Sequence, residues 1–144
     1  MFNVKPEERF SEWRKFRKSL TGTTKDQITR VVNFWSKAPI GSRYIDYYTP
    51  TEWPTPWEIL HDSLFCKNTI AVMMYYTLLY SDYYDEEDLE ILLINDKLCQ
   101  DIFLIVLVDD FVLNYNHNQL NTYTEIQNNI EIIERYNFND INNK

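Results

Sequence analysis

Residues 51–68 read "TEWPTPWEILHDSLFCKN", and the reading of this stretch decides the reading of the chain. Two tryptophans, two prolines and Cys66 fall together just before a long apolar run, in a protein with only 2 Gly. Proline locks its own backbone and cannot sit inside a helix or a central strand, so Cys66 is approached along a rigid path. A nucleophile needs such an approach, and so does a packed corner. Residues 39–57 hold four of the five prolines plus Gly41, which makes them an extended connection rather than a regular element.

Upstream of this connection the pattern is helical. Phe10, Trp13, Phe16 and Leu20 recur at helical spacing within 6–20, and Gly22 ends the element. Ile28, Val31, Val32 and Trp35 then mark an amphipathic helix that Pro39 stops. Downstream, 58–80 reads as one long central helix, apolar almost all round and therefore buried. The acidic "SDYYDEED" (81–88) is a solvated connection. The period then changes to that of strands at "LEILLIN" (89–95) and "IFLIVLV" (102–108), and Asp109-Asp110 turns the chain into "FVLNYN" (111–116). Thr122 and Glu125 have capping-box spacing before "IQNNIEIIERY" (126–136), which predicts a closing helix with an Ile126/Ile130/Ile133 stripe. The expected fold is α+β: N-terminal helices, a central helix bearing Cys66 on a small antiparallel sheet, and a C-terminal helix. One domain over 1–144 is expected, with a helical extension at 1–38, a core at 39–120 and a helix and tail at 121–144.

Composition limits the function. The 144 residues carry a net charge of -8, so nucleic acid is not the expected ligand. The basic "RFSEWRKFRK" (9–18) reads as a solvated helix face. Aromatic residues reach 16%, enough either for a very aromatic core or for aromatic surface offered to a partner. No run is long enough to span a membrane, and "MFNVKPEERF" lacks the apolar core of a signal peptide. A cytoplasmic protein is the expectation, with Cys66 and Cys99 as free thiols. No C-x-x-C or H-x-x-x-H spacing exists, so no metal or cofactor is expected.

Trp53, Thr55, Pro56, Glu58 and Leu60 match a W-x-T-P-x-E-x-L stretch, followed by Cys66 and by Ala71 in the next helix. In this, residues 43–116 resemble the transglutaminase-like cysteine hydrolases, most closely the bacterial transglutaminase-like cysteine proteinases. The resemblance implies a Cys nucleophile at Cys66, a His base opening the second strand, and an Asp or Asn on the third to orient it. The aligned His position is Ile102, which accepts no proton, while Asn114 takes the orienting position. Gly-Asp before the nucleophile is replaced by Leu64-Phe65, and the acidic pair after it by Lys67-Asn68. The two histidines, His61 and His117, both lie off the family position.

The resulting expectation is a catalytically degenerate transglutaminase-like domain that binds a protein partner or serves a structural role. Trp53, Trp57, Tyr47 and Tyr48 are the candidate aromatic groove, with no membrane contact and the oligomeric state left open. Small size, residues typical of AT-rich codons and the drifted motif resemble small tailed-phage proteins, which places it in a host cytoplasm or a virion. The alternatives are an active thiol hydrolase or acyltransferase with His61 or His117 as base, and a small inhibitor acting through its acidic surface.

Overall fold

A computed structural model describes residues 1–41 and 43–142, so residues 143 and 144 of the expected tail lie outside the described part. Helix α1 (Pro6–Lys18) opens with proline at its first turn beside Glu7 and Glu8, and it closes on Lys15, Arg17 and Lys18. That charge order complements the helix dipole at both ends. Helix α2 (Thr24–Trp35) starts on a reciprocal cap, in which the Asp26 N–H donates to Thr23 and the Thr23 N–H to Asp26. It buries the expected stripe of Ile28, Val31, Val32 and Trp35.

The expected helix over 58–80 is two helices. α3 (Pro56–Asp62) ends where Ser63 turns into the left-handed region at φ 50°, and α4 (Lys67–Leu79) begins afresh with Cys66 as its N-cap. No Gly or Pro marks the break, which lies between the polar His61-Asp62-Ser63 and the polar Lys67-Asn68. α4 is buried from Thr69 to Leu78, all round as expected.

A five-stranded sheet lies against α4, in the order β4-β3-β2-β1-β5 and antiparallel throughout. β1 (Leu89–Asp96), β2 (Asp101–Val108) and β3 (Phe111–Asn116) coincide with the expected strands. Leu89 pairs with Val108 and Val108 with Phe111, across the turn at Asp109-Asp110. A further short strand, β4 (Gln119–Thr122), pairs with β3 beyond the three expected ones. The closing helix over 126–136 is corrected. The Thr122/Glu125 capping box is present, but it starts a single turn, α5 (Tyr123–Ile126), and the chain then forms β5 (Ile130–Tyr136) along β1. A further short helix, α6 (Phe138–Asn142), follows. Unpaired backbone on β1 would be costly in a buried sheet, and a run of β-branched isoleucines satisfies it.

The sheet is apolar on both faces. Leu89, Ile91, Leu93, Leu104, Val106 and Leu113 pack toward α4, with Ile102 partly buried among them. Leu92, Ile94, Phe103, Ile105 and Val112 face the other way, under Ile126 and Ile130. The aromatic excess is mostly core: Trp13, Trp35, Phe65 and Tyr75 are fully buried.

The basic segment 9–18 is not simply a solvated face. Arg9 is buried, and its guanidinium donates to the Leu60 carbonyl at 2.6 Å, to the His61 carbonyl at 2.7 Å and to the Val4 carbonyl. The first two belong to the last turn of α3, whose carbonyls have no partner within the helix. Arg9 thus closes the C-terminus of α3 and ties α1 to it, with its charge at the negative end of the dipole.

Candidate functional site

The W-x-T-P-x-E-x-L stretch is, physically, a helix start. Thr55 is the N-cap of α3, Pro56 its first residue, and Glu58 completes a reciprocal cap: the Glu58 N–H donates to Thr55 at 3.3 Å and the Thr55 N–H to Glu58 at 3.1 Å. Trp53 is 2% exposed ahead of this start. Its indole N–H donates to the Asp46 carbonyl at 2.7 Å, and its ring meets Tyr136 edge-on at 5.5 Å. The motif therefore anchors the 43–55 connection to β5 and aims the chain at Cys66.

Phe65, fully buried, is held from the side: its carbonyl accepts from the Gly41 N–H at 2.7 Å, and it bridges Ile40 in parallel register. Cys66, partly exposed, uses its sulfur as a cap. The Thr69 N–H donates to Sγ at 3.5 Å, and the Cys66 N–H donates back to the Thr69 hydroxyl at 2.8 Å. That is the only hydrogen bond to the sulfur among the described residues. Cys66 and Cys99 are both free thiols. A serine oxygen caps better than sulfur, so Cys66→Ser is expected to hold or raise stability by up to about 1 kcal/mol, and Cys66→Ala to lose about 0.5–1 kcal/mol. Urea titrations of the two variants check the ordering; equal loss in both would show that the cap contributes nothing.

Across from the cysteine stands β2. The Leu104 N–H donates to Asn68 Oδ1 at 3.0 Å, and the Leu104 carbonyl accepts from Asn114 Nδ2 at 2.8 Å. The second amide hydrogen of Asn114 goes to the Lys67 carbonyl at 2.9 Å. β3 pairs with β2 only from Val106 to Val108, and Asn114, at φ 77°, leaves the ladder in the left-handed region that Asn tolerates. Asn68 and Asn114 together satisfy the backbone that β3 abandons. Both amide hydrogens of Asn114 are committed to carbonyls, not to a ring. Ile102 lies two residues before Leu104 on the α4 side of the sheet, so an isoleucine side chain fills the strand position beside the start of α4. Asn68 and Thr69 escaped the sequence reading. The Cys66-x-x-Thr69 spacing could have announced the cap, whereas nothing local announced Asn68.

Neither histidine bonds the sulfur. His61 is exposed at the end of α3, with Nδ1 3.4 Å from Asp62 Oδ1. Asp62 also pairs with Arg43, and that bond holds its carboxyl below the usual range. His117, in the β3–β4 turn, lines a mostly apolar cavity of about 180 Å³ with Trp35, Ile70, Lys67 and Asn114. The Lys67 ammonium sits 3.5 Å from the centre of the Phe103 ring. Desolvation there lowers its pKa, against the opposing pull of Asp101, Cys99 and Asp96. Among the described residues no cluster of His, Cys, Asp and Glu is suited to a metal ion.

The four residues of the expected groove have different neighbours. Trp53 is in the core beside Tyr136, and Tyr47 and Tyr48 contact each other at 5.0 Å on the connection. Trp57, at the start of α3, packs instead against Phe10 and Trp13 of α1 and against Tyr80. Three residues separate the tryptophans, and the helix start between them sends their rings to different neighbours.

No protein-family model and no curated protein sequence matches the chain. Solved structures do. Calcium-bound LapG of Legionella pneumophila superposes with a TM-score of 0.76 at 14% identity, over 94% of this chain and 78% of its own. The EGTA-treated form gives 0.73 at 16% identity over 92% and 74%. A third LapG structure gives 0.74 at 16% identity over 92% and 76%. At such identities the likeness establishes a fold shared with LapG.

Proposed function

We propose that this chain keeps a transglutaminase-like fold without its hydrolytic chemistry and acts as a protein-binding or structural module. The observation that carries the reading is Ile102. LapG is a transglutaminase-like cysteine protease, and such a protease needs a base beside its thiol; here the α4 side of β2 offers an alkyl side chain. Two further observations agree. Asn114 has both amide hydrogens on backbone carbonyls, and Cys66 serves as a helix cap. Calcium is not carried over from the bound LapG structure, since no fitting cluster stands among the described residues. AT-rich residue usage and the drifted motif support a tailed-phage virion or accessory protein, working in the host cytoplasm or the virion.

The alternative, a thiol hydrolase or acyltransferase, has one observation in its favour: His117 lines the same cavity as Lys67, the residue after Cys66. Turnover of a peptide thioester by the purified protein separates the two. The expected result is a rate equal to that of Cys66→Ala. A rate that falls in both Cys66→Ala and His117→Ala would establish the enzyme instead.

A further inference from the structure

Among the described residues Arg17, near the end of α1, has no acidic partner. Its guanidinium carbon stands 4.2 Å from the centre of the Trp13 ring, 5.7 Å from Tyr80 and 6.0 Å from Trp57. Its Nε is buried with no hydrogen bond. Among the described residues neither Arg17 nor Arg14 and Lys18 beside it forms an ion pair; on this helix only Lys15 does, with Glu12. Trp57 and Tyr80, nearly parallel at 12°, wall the guanidinium and remain 44% and 39% exposed. This is an unpaired cationic fork, framed by open aromatic faces, on a chain of net charge -8.

We infer that the face formed by Arg14, Arg17, Trp57 and Tyr80 is a docking surface for an acidic segment of a partner protein, in which a carboxylate lies beside an apolar side chain. A guanidinium matches a carboxylate with two parallel hydrogen bonds. The flanking rings exclude water from that pair and strengthen it, and they give the neighbouring apolar side chain a surface to cover. Trp, Tyr and Arg are also the residues that dominate binding energy at interfaces. A nucleic acid is the weaker fit, because the rest of the chain is acidic and repels a long polyanion while leaving a short acidic segment free to engage locally. The inference rests on the module reading only in taking the ligand to be a protein.

The test is calorimetric titration of the full chain with a capped octapeptide of Glu, Phe and Gly, and with its counterpart carrying Lys for Glu. Saturable binding of the acidic peptide alone is expected, weakened about tenfold or more in Arg17→Ala and in Trp57→Ala. Arg17→Glu should reverse the preference toward the Lys peptide, which a merely unfolded variant does not do. Arg14→Ala, away from the ring stack, should weaken binding in part. No binding of the acidic peptide by about 1 mM, equal binding to Arg17→Ala, or tighter binding of oligo(dT) would overturn the inference. Cys66→Ala should bind the peptide like the parent, so a catalytic thiol would sink the module reading without touching this result.

Discussion

Thr77→Val is expected to destabilise the protein by about 2–5 kcal/mol, although valine has nearly the shape of threonine. Thr77 is fully buried in α4, and its hydroxyl oxygen accepts from the Trp13 indole N–H at 2.9 Å and from the Trp35 indole N–H at 3.0 Å. The hydroxyl hydrogen goes to the Met73 carbonyl at 2.6 Å. One donor and two lone pairs are thereby all used. Both tryptophans are 0% exposed, so valine would strand two indole donors where no water reaches them, each costing about 1–3 kcal/mol. The same atom joins α1 and α2 to the central helix, and its loss removes a polar constraint that apolar packing does not replace. Thr77→Ser keeps the hydroxyl and should lose only the methyl contact, about 1 kcal/mol. A double-mutant cycle isolates the hydrogen bond: Trp13→Phe should cost less in the Thr77→Val background than in the parent. Equal costs would mean that the indoles bond elsewhere once the hydroxyl is gone.

Such a hub has no signature in the sequence, and this explains which parts of the molecule were legible there. α1, α2 and β1 to β3 follow from periodicity, because each buries one face or two against a neighbour and the spacing records which. The T-P-x-E start of α3 is legible because capping is local chemistry. β5 reads as a helix in the sequence because Ile130, Ile132 and Ile133 fit either period, and a genuine cap at Thr122 points to a helix. What decided the segment was the open edge of β1, a tertiary fact. The break between α3 and α4 was hidden for a similar reason: Ser63 adopts a left-handed conformation that sequence assigns to Gly or Asn. At the site, Cys66, Ile102 and Asn114 were identified from the resemblance, whereas the roles of Cys66 and Asn114 as bonds to backbone emerged only from the fold. Arg9 shows the same limit, since a charge in a helix gives no sign that it will close the end of another.

Ile102→His is the change that should restore reactivity to the thiol. In a Cys99→Ser background, with Cys66 the sole remaining cysteine, alkylation by iodoacetamide at neutral pH should accelerate about tenfold or more, following the thiolate fraction that an adjacent base creates. The placement supports it: residue 102 points to the α4 side of β2, two residues from the Leu104 N–H that Asn68 fixes to the first turn of α4. Peptide hydrolysis should not return with it. Asn114 holds the Leu104 and Lys67 carbonyls with both amide hydrogens and is not free to turn toward a new imidazole. Adding Asn114→Asp should make matters worse, because a carboxylate facing two carbonyl oxygens repels both and leaves the Leu104 carbonyl, on the abandoned edge of β2, without its donor, at about 1–3 kcal/mol. Thermal melts of the single and double variants, beside the alkylation rates, read both effects. If the parent Cys66 already alkylates fast and Ile102→His adds nothing, a base is present elsewhere. His117→Ala, at the cavity beside Lys67, would then be the variant that slows it.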